Sequence, residues 1–121
     1  MKLYTSFFAN LKNIPENIKP VSIAGFSPKW YNGDRFEALA PDKKLLWKAK
    51  QGKISEKEYT KIYLAGINAL FTPQSLIKKL TDQYNNSDLV FLCFEKRGVF
   101  CHRRILADWI KSGINLKVIE L

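Results

Sequence analysis

The chain has 121 residues, near the commonest size of a single domain, and its 46% hydrophobic content with 13% aromatics is enough for one packed core that needs no disulfide. Twenty Lys and Arg against 11 Asp and Glu give a net charge of +9, which favours polyanionic or phosphorylated partners and disfavours basic ones. No apolar run approaches the roughly 20 residues of a membrane helix, and the start Met1-Lys-Leu-Tyr-Thr-Ser-Phe-Phe-Ala lacks the apolar region and cleavage pattern of a signal peptide. The expectation is one soluble, cytoplasmic domain over residues 1–121, with no membrane partner and with reduced thiols.

Two short apolar runs, Lys2 to Phe8 and Pro20 to Phe26, read as strands joined by a connection that carries Pro15. From Ser27 to Ala40, Pro28 and the Asn32-Gly33 pair mark loop and turn, which leaves Trp30 and Tyr31 as loop aromatics. Pro41 suits a first helical turn, Leu45, Leu46 and Ala49 form a short apolar stripe behind it, and Gly52 ends the segment. Ser55-Glu-Lys-Glu58 fits a capping box, and Tyr59, Ile62, Tyr63, Gly66, Ile67 and Leu70 recur at helical spacing. Thr72-Pro73 repeats the start signal ahead of Leu76, Ile77, Leu80 and Tyr84, with Asn85-Asn86 beyond the end.

Leu89 to Phe94 is a continuous apolar run suited to a central strand covered on both faces. Cys101 to Ser112 places Ile105, Leu106, Trp109 and Ile110 on one side of a helix, Gly113 stands where a left-handed cap is wanted, and Leu116 to Leu121 returns as a strand. Strands separated by helices predict a small three-layer, Rossmann-like α/β domain with a mainly parallel sheet of about four strands.

Both cysteines and the only histidine fall within Cys93 to Arg104, a strand-loop-helix passage of the kind that builds ligand sites outside the carboxyl end of a strand. Backbone N–H groups, the positive end of a helix dipole and two adjacent arginines are the elements of an anion pocket there. Arg103 and Arg104 project about 100° apart, and Arg103 is the one expected to face the pocket, since Ile105, Leu106 and Trp109 must turn inward. Cys101, at a helix N-terminus beside arginines, is a candidate nucleophile, and Glu95 is available as acid or base. Against this stands a bland reading in which Cys93 is a small core residue, Cys101 packs under the loop and His102 is solvated.

A cysteine phosphatase is rejected, because no arginine follows either cysteine at the required distance. Papain-like catalysis is disfavoured because the only histidine adjoins Cys101. A zinc site of Cys93, Cys101 and His102 with Glu95 is disfavoured too, since adjacent Cys and His seldom point at one metal and the usual paired spacings are missing. The expectation is therefore no metal and no cofactor.

The string Cys93-Phe-Glu95-Lys-Arg-Gly-Val-Phe-Cys101-His102-Arg103, followed by Leu106-Ala-Asp-Trp, resembles the signature of the DUF488 family. The opening Lys2-Leu-Tyr-Thr-Ser-Phe-Phe-Ala-Asn-Leu and the Pro-Lys-Trp-Tyr segment at 28 to 31 are similar to short members of that family, several of them from bacteriophages. The resemblance implies a small α/β fold and Cys93, Glu95, Cys101, His102 and Arg103 as site residues; it implies no particular activity. If the first two strands run parallel to the third, Ser6, Ser27, Lys29, Trp30 and Tyr31 emerge on the same edge and wall the same pocket, an aromatic residue stacking a base whose phosphate is held nearby.

The resulting expectation is a protein that binds, and in one version processes, an anionic, nucleotide-like small molecule, with Glu95, Cys101 and His102 carrying any chemistry. The alternative is a small basic protein that binds nucleic acid through Lys43, Lys44, Lys48, Lys50, Lys53, Lys57 and Lys61, or that docks on an acidic host protein.

Overall fold

The computed structural model describes all 121 residues and shows an α/β fold around a five-stranded sheet, all parallel. The strands are β1 (Leu3–Phe7), β2 (Lys19–Ser22), β3 (Asp34–Arg35), β4 (Leu89–Cys93) and β5 (Val118–Glu120), in the order β3-β2-β4-β1-β5. Four helices, α1 (Lys43–Lys50), α2 (Glu56–Leu70), α3 (Pro73–Gln83) and α4 (His102–Ile114), complete the chain. The extra strand is β3: Asn32-Gly33 leads into two residues that pair with Val21 and Ser22, rather than into a free turn.

β4 is central, and all five of its residues are buried, as a strand with a parallel neighbour on each side and cover on both faces must be. Its side chains alternate. Leu89 and Phe91 join Leu3, Val21 and Ile23 in a core completed by Leu45, Tyr63, Ile67, Leu80, Leu106 and Ile110 from the four helices. Val90 and Leu92 point the other way, where Phe8, Ile18, Leu11 and Ile14 cover them. The layer on that side is thus a 3₁₀ turn, Phe8–Asn13, and the chain following it, not an α-helix.

The caps differ in detail from the reading of the sequence. α1 begins after Asp42, so Pro41 precedes the helix and is buried. At α2 the Ser55 side chain accepts from the Glu58 backbone N–H, and the reciprocal box is found instead at Thr72 and Ser75 of α3. Within α2 only Tyr59, Tyr63 and Ile67 are buried, while Ile62 and Leu70 of the expected stripe face solvent. α4 runs one residue past Gly113 and ends at Asn115, which takes the left-handed conformation at φ 55°. Gly113 serves packing: a Cβ there would collide with the Pro73 ring, so its bare backbone is what lets α4 meet the start of α3.

Candidate functional site at the carboxyl edge of the sheet

The strand order locates the site. The connection from β2 leads outward to β3 at one edge, whereas the connection from β4 crosses β1 to reach β5 at the other. The chain therefore diverges at the carboxyl ends of β2 and β4, and a crevice opens between their loops, which is where open α/β sheets bind ligands. A cleft of about 500 Å³ occupies that position. Ala24 to Phe26 after β2 and Cys93 to Glu95 after β4 contribute to it, with Cys101 and His102 from the start of α4. α1 and α2 add Leu46, Lys50 and Tyr59, and the loop before α4 adds Val99 and Phe100.

Cys93, Cys101 and His102 line the cleft and are buried, Arg103 is buried without lining it, and Glu95 is half-buried. Cys93 and Cys101, eight positions apart, bring their Sγ atoms into contact at the cleft floor although their Cα atoms are 7.9 Å apart. Cys101 Sγ donates to Glu95 Oε2 at 3.3 Å and lies 3.7 Å from His102 Nδ1. The other ring nitrogen, Nε2, is 2.7 Å from the carbonyl of Ile23. A carbonyl only accepts, so Nε2 carries the proton and Nδ1 presents a lone pair. Burial pushes the His102 pKa down to about 4 against the supporting bond to Ile23, and the Arg103 charge adds to the depression. The solvated histidine of the bland reading is excluded by this burial.

Arg103 has no exposed surface. Its Nε and Nη2 donate to the two carboxylate oxygens of Glu120 at 3.1 and 2.8 Å, and Nη1 donates to Cys93 Sγ at 2.9 Å and to the Glu95 carbonyl at 2.7 Å. The fork is consumed internally, so Arg103 is not the residue that meets an incoming anion; it fixes the Cys93 sulfur and the turn at Glu95. Burial pushes the Glu120 carboxyl up, but hydrogen bonds from Arg103 and Thr5 and the charges of Arg103 and Arg104 outweigh it and hold the group below its ordinary value. Glu120 escaped sequence reasoning because a single acid near the end of a short strand carries no spacing signal. Arg104 is exposed and borders a second, more open groove beside α4.

The N-terminal candidates fall outside this cleft. Ser6 is fully buried in β1, donating to the Leu121 carbonyl and accepting from Asn10. Ser27 donates to Ser22 Oγ at 3.0 Å, and Lys29 is exposed on the loop. Trp30 and Tyr31 pack edge-on against Phe8, on the 3₁₀ side of the sheet, and Tyr31 is tied to the Asp34 carbonyl. Burial, partly relieved by a backbone hydrogen bond, raises the Tyr31 hydroxyl to about 12. The aromatic wall of the cleft is supplied instead by Phe26, Phe94, Phe100 and Tyr59. Phe26 and Phe94 are 5.0 Å apart, Phe100 meets Tyr59 edge-on at 5.3 Å, and Lys50 Nζ stands 5.2 Å over the Phe26 ring. This aromatic wall is invisible in sequence because its residues come from three separate segments, the loop after β2, the loop between β4 and α4, and α2.

Residues 12–113 match the family model DUF488-N3a, described as the active DUF488-N3 subclade. The chain belongs to the DUF488 family. No curated protein and no solved structure matches it. The matched span includes the cleft walls and the whole Cys93 to Arg103 passage, while Glu120, the counter-ion of Arg103, lies beyond it. No helix of this DUF488 chain is long and apolar enough to cross a membrane.

Proposed function

We propose that the cleft binds a nucleotide-like, phosphorylated small molecule and that Glu95 and Cys101 are placed to act on it. One observation carries the reading: a cleft at the diverging strand ends combines aromatic walls with a lysine at Phe26 and a thiol-carboxylate contact at its floor. Aromatic faces accept a planar base by stacking, worth about 1–3 kcal/mol per base. Lys50 supplies the charge for a phosphate, and the first turn of α4, which no side chain caps, presents backbone N–H groups at the same floor. Glu95 is the acid-base group of this arrangement, since His102 is buried and held by Ile23. The description of the matched subclade as active agrees with chemistry as well as binding.

The exposed lysines of α1 and α2 support a second reading, in which the anionic partner is a nucleic acid. Thermal unfolding with mononucleotides, cyclic nucleotides, dinucleotides and short DNA separates the two. A ligand at about 100 times its dissociation constant stabilises the native state by about 2.7 kcal/mol. The cleft reading expects such a shift from one small ligand and its loss in Lys50→Ala and Phe26→Ala, both exposed positions. A response to DNA alone, removed by changing Lys43, Lys44 and Lys48 together, refutes it.

A further inference from the structure

We infer that the cleft floor is a metal site, in which Cys93 Sγ, Cys101 Sγ and His102 Nδ1 hold a borderline-soft divalent cation of the zinc type. The inference goes beyond the ligand reading and does not depend on which molecule the cleft takes; it makes Cys101 a metal ligand and leaves Glu95 as the side chain that acts on the bound molecule. The three donor atoms lie within 4.8 Å of one another, and all three residues are buried. Adjacent Cys and His converge because Cys101 precedes the helix in an extended conformation, φ −156° and ψ 148°, while His102 is its first helical residue.

Two of the three donors, His102 and Cys93, are prepared by a partner outside the cluster. Metal-bound histidines ordinarily give their other N–H to a carbonyl or carboxylate, and His102 gives Nε2–H to Ile23, leaving Nδ1 toward the sulfurs. Arg103 donates to Cys93 Sγ, which favours the thiolate that a metal requires. Two thiolates cancel the charge of a divalent ion and Glu120 matches Arg103, which leaves Glu95 as the uncancelled charge beside the cluster.

The backbone geometry favours an ion over a disulfide. The Cα atoms of Cys93 and Cys101 are 7.9 Å apart, outside the roughly 4.4–6.8 Å that a disulfide spans. An ion lengthens the bridge, replacing one sulfur–sulfur bond by two metal–sulfur bonds of about 2.3 Å each. Two sulfurs and an imidazole select zinc-type ions over magnesium or calcium. Three protein donors with one position left toward the cleft and Glu95 Oε2 match the pattern of catalytic rather than purely structural zinc sites.

The test uses the full chain, reduced and stripped with a chelator, titrated with cobalt(II) in the absence of any nucleotide. Expected is a thiolate-to-cobalt charge-transfer band, with the intense visible absorption of tetrahedral cobalt, saturating at one equivalent and reversed by zinc. Cys93→Ser and Cys101→Ser each lose the band. His102→Gln keeps thiolate absorption but weakens binding by about tenfold or more, since even outer-shell partners of a ligand are worth about 10–100-fold. A folded, reduced wild type that shows no charge-transfer band overturns the site, whether or not the variants fold. So does cobalt binding that survives loss of both cysteines. Because the readout needs no nucleotide, its failure and the failure of the ligand reading are separate results.

Discussion

The Arg103–Glu120 pair bears the sharpest prediction, because both the sulfur cluster and the end of the sheet hang from it. The guanidinium is wholly buried, and the Glu120 side chain is only 15% exposed. Two parallel N–H···O bonds join them, while Nη1 is shared between Cys93 and the Glu95 carbonyl. Glu120→Gln leaves the shape almost unchanged but strands a buried cation, and removing one partner of a buried ion pair costs about 3–5 kcal/mol. Against a total stability of about 5–15 kcal/mol that is a large fraction. Arg103→Met, with Glu120 left near the surface at the chain's last strand, should cost less from the stranded charge but should also release Cys93. The double variant Arg103→Met/Glu120→Leu should be more stable than the sum of the singles predicts, by at least about 1 kcal/mol, since it strands no charge. Urea denaturation of reduced, metal-free protein, with midpoint and slope fitted for all four forms, gives the cycle. A loss under about 1 kcal/mol in Glu120→Gln refutes the reasoning, and would mean that the Cys93 sulfur rather than Glu120 balances the guanidinium.

Other outcomes follow from single contacts. His102 has a folded pKa near 4, below its ordinary 6.5, so the unfolded chain binds the proton more readily, and stability is full above the unfolded value and falls as pH drops between the two. For metal-free protein this amounts to about 2 kcal/mol lost from pH 7 to pH 5, visible as a lower urea midpoint and absent in His102→Gln; a flat wild-type profile contradicts it. Glu120, whose pKa is depressed, keeps its contribution above the ordinary carboxylate range and gives it up only as pH falls below that range, which separates its window from that of His102. Gly113→Ala should cost about 1–3 kcal/mol through collision with Pro73, measured by thermal unfolding, and a neutral result would show that α3 and α4 separate easily. Asn115→Gly should hold or raise the melting point and Asn115→Val should lower it by about 1–2 kcal/mol, because only the β-branched residue resists φ 55°; equal effects would argue against the left-handed cap.

Hydrophobic periodicity and cap chemistry suffice to read the strands and helices of this chain, because each signal is local. Leu89 to Cys93 is apolar throughout and is buried throughout; Thr72-Pro73 starts a helix where both residues say it must. The same locality hides β3, whose two residues are a strand only because Val21 and Ser22 lie beside them. It also explains why the site was half legible. Cys93, Glu95, Cys101, His102 and Arg103 stand in one passage and meet in space, but the direction of each side chain depends on groups far along the chain. Ile23, 79 positions away, sets the tautomer of His102, and Glu120 draws the Arg103 fork inward. An arginine beside a helix start reads from sequence as an anion receptor. In the fold its anion is already supplied by the protein, and that exchange changes its chemistry: a receptor would leave Cys93 an ordinary buried thiol, whereas an arginine held by Glu120 turns a donor on the sulfur and readies it for a metal or an electrophile.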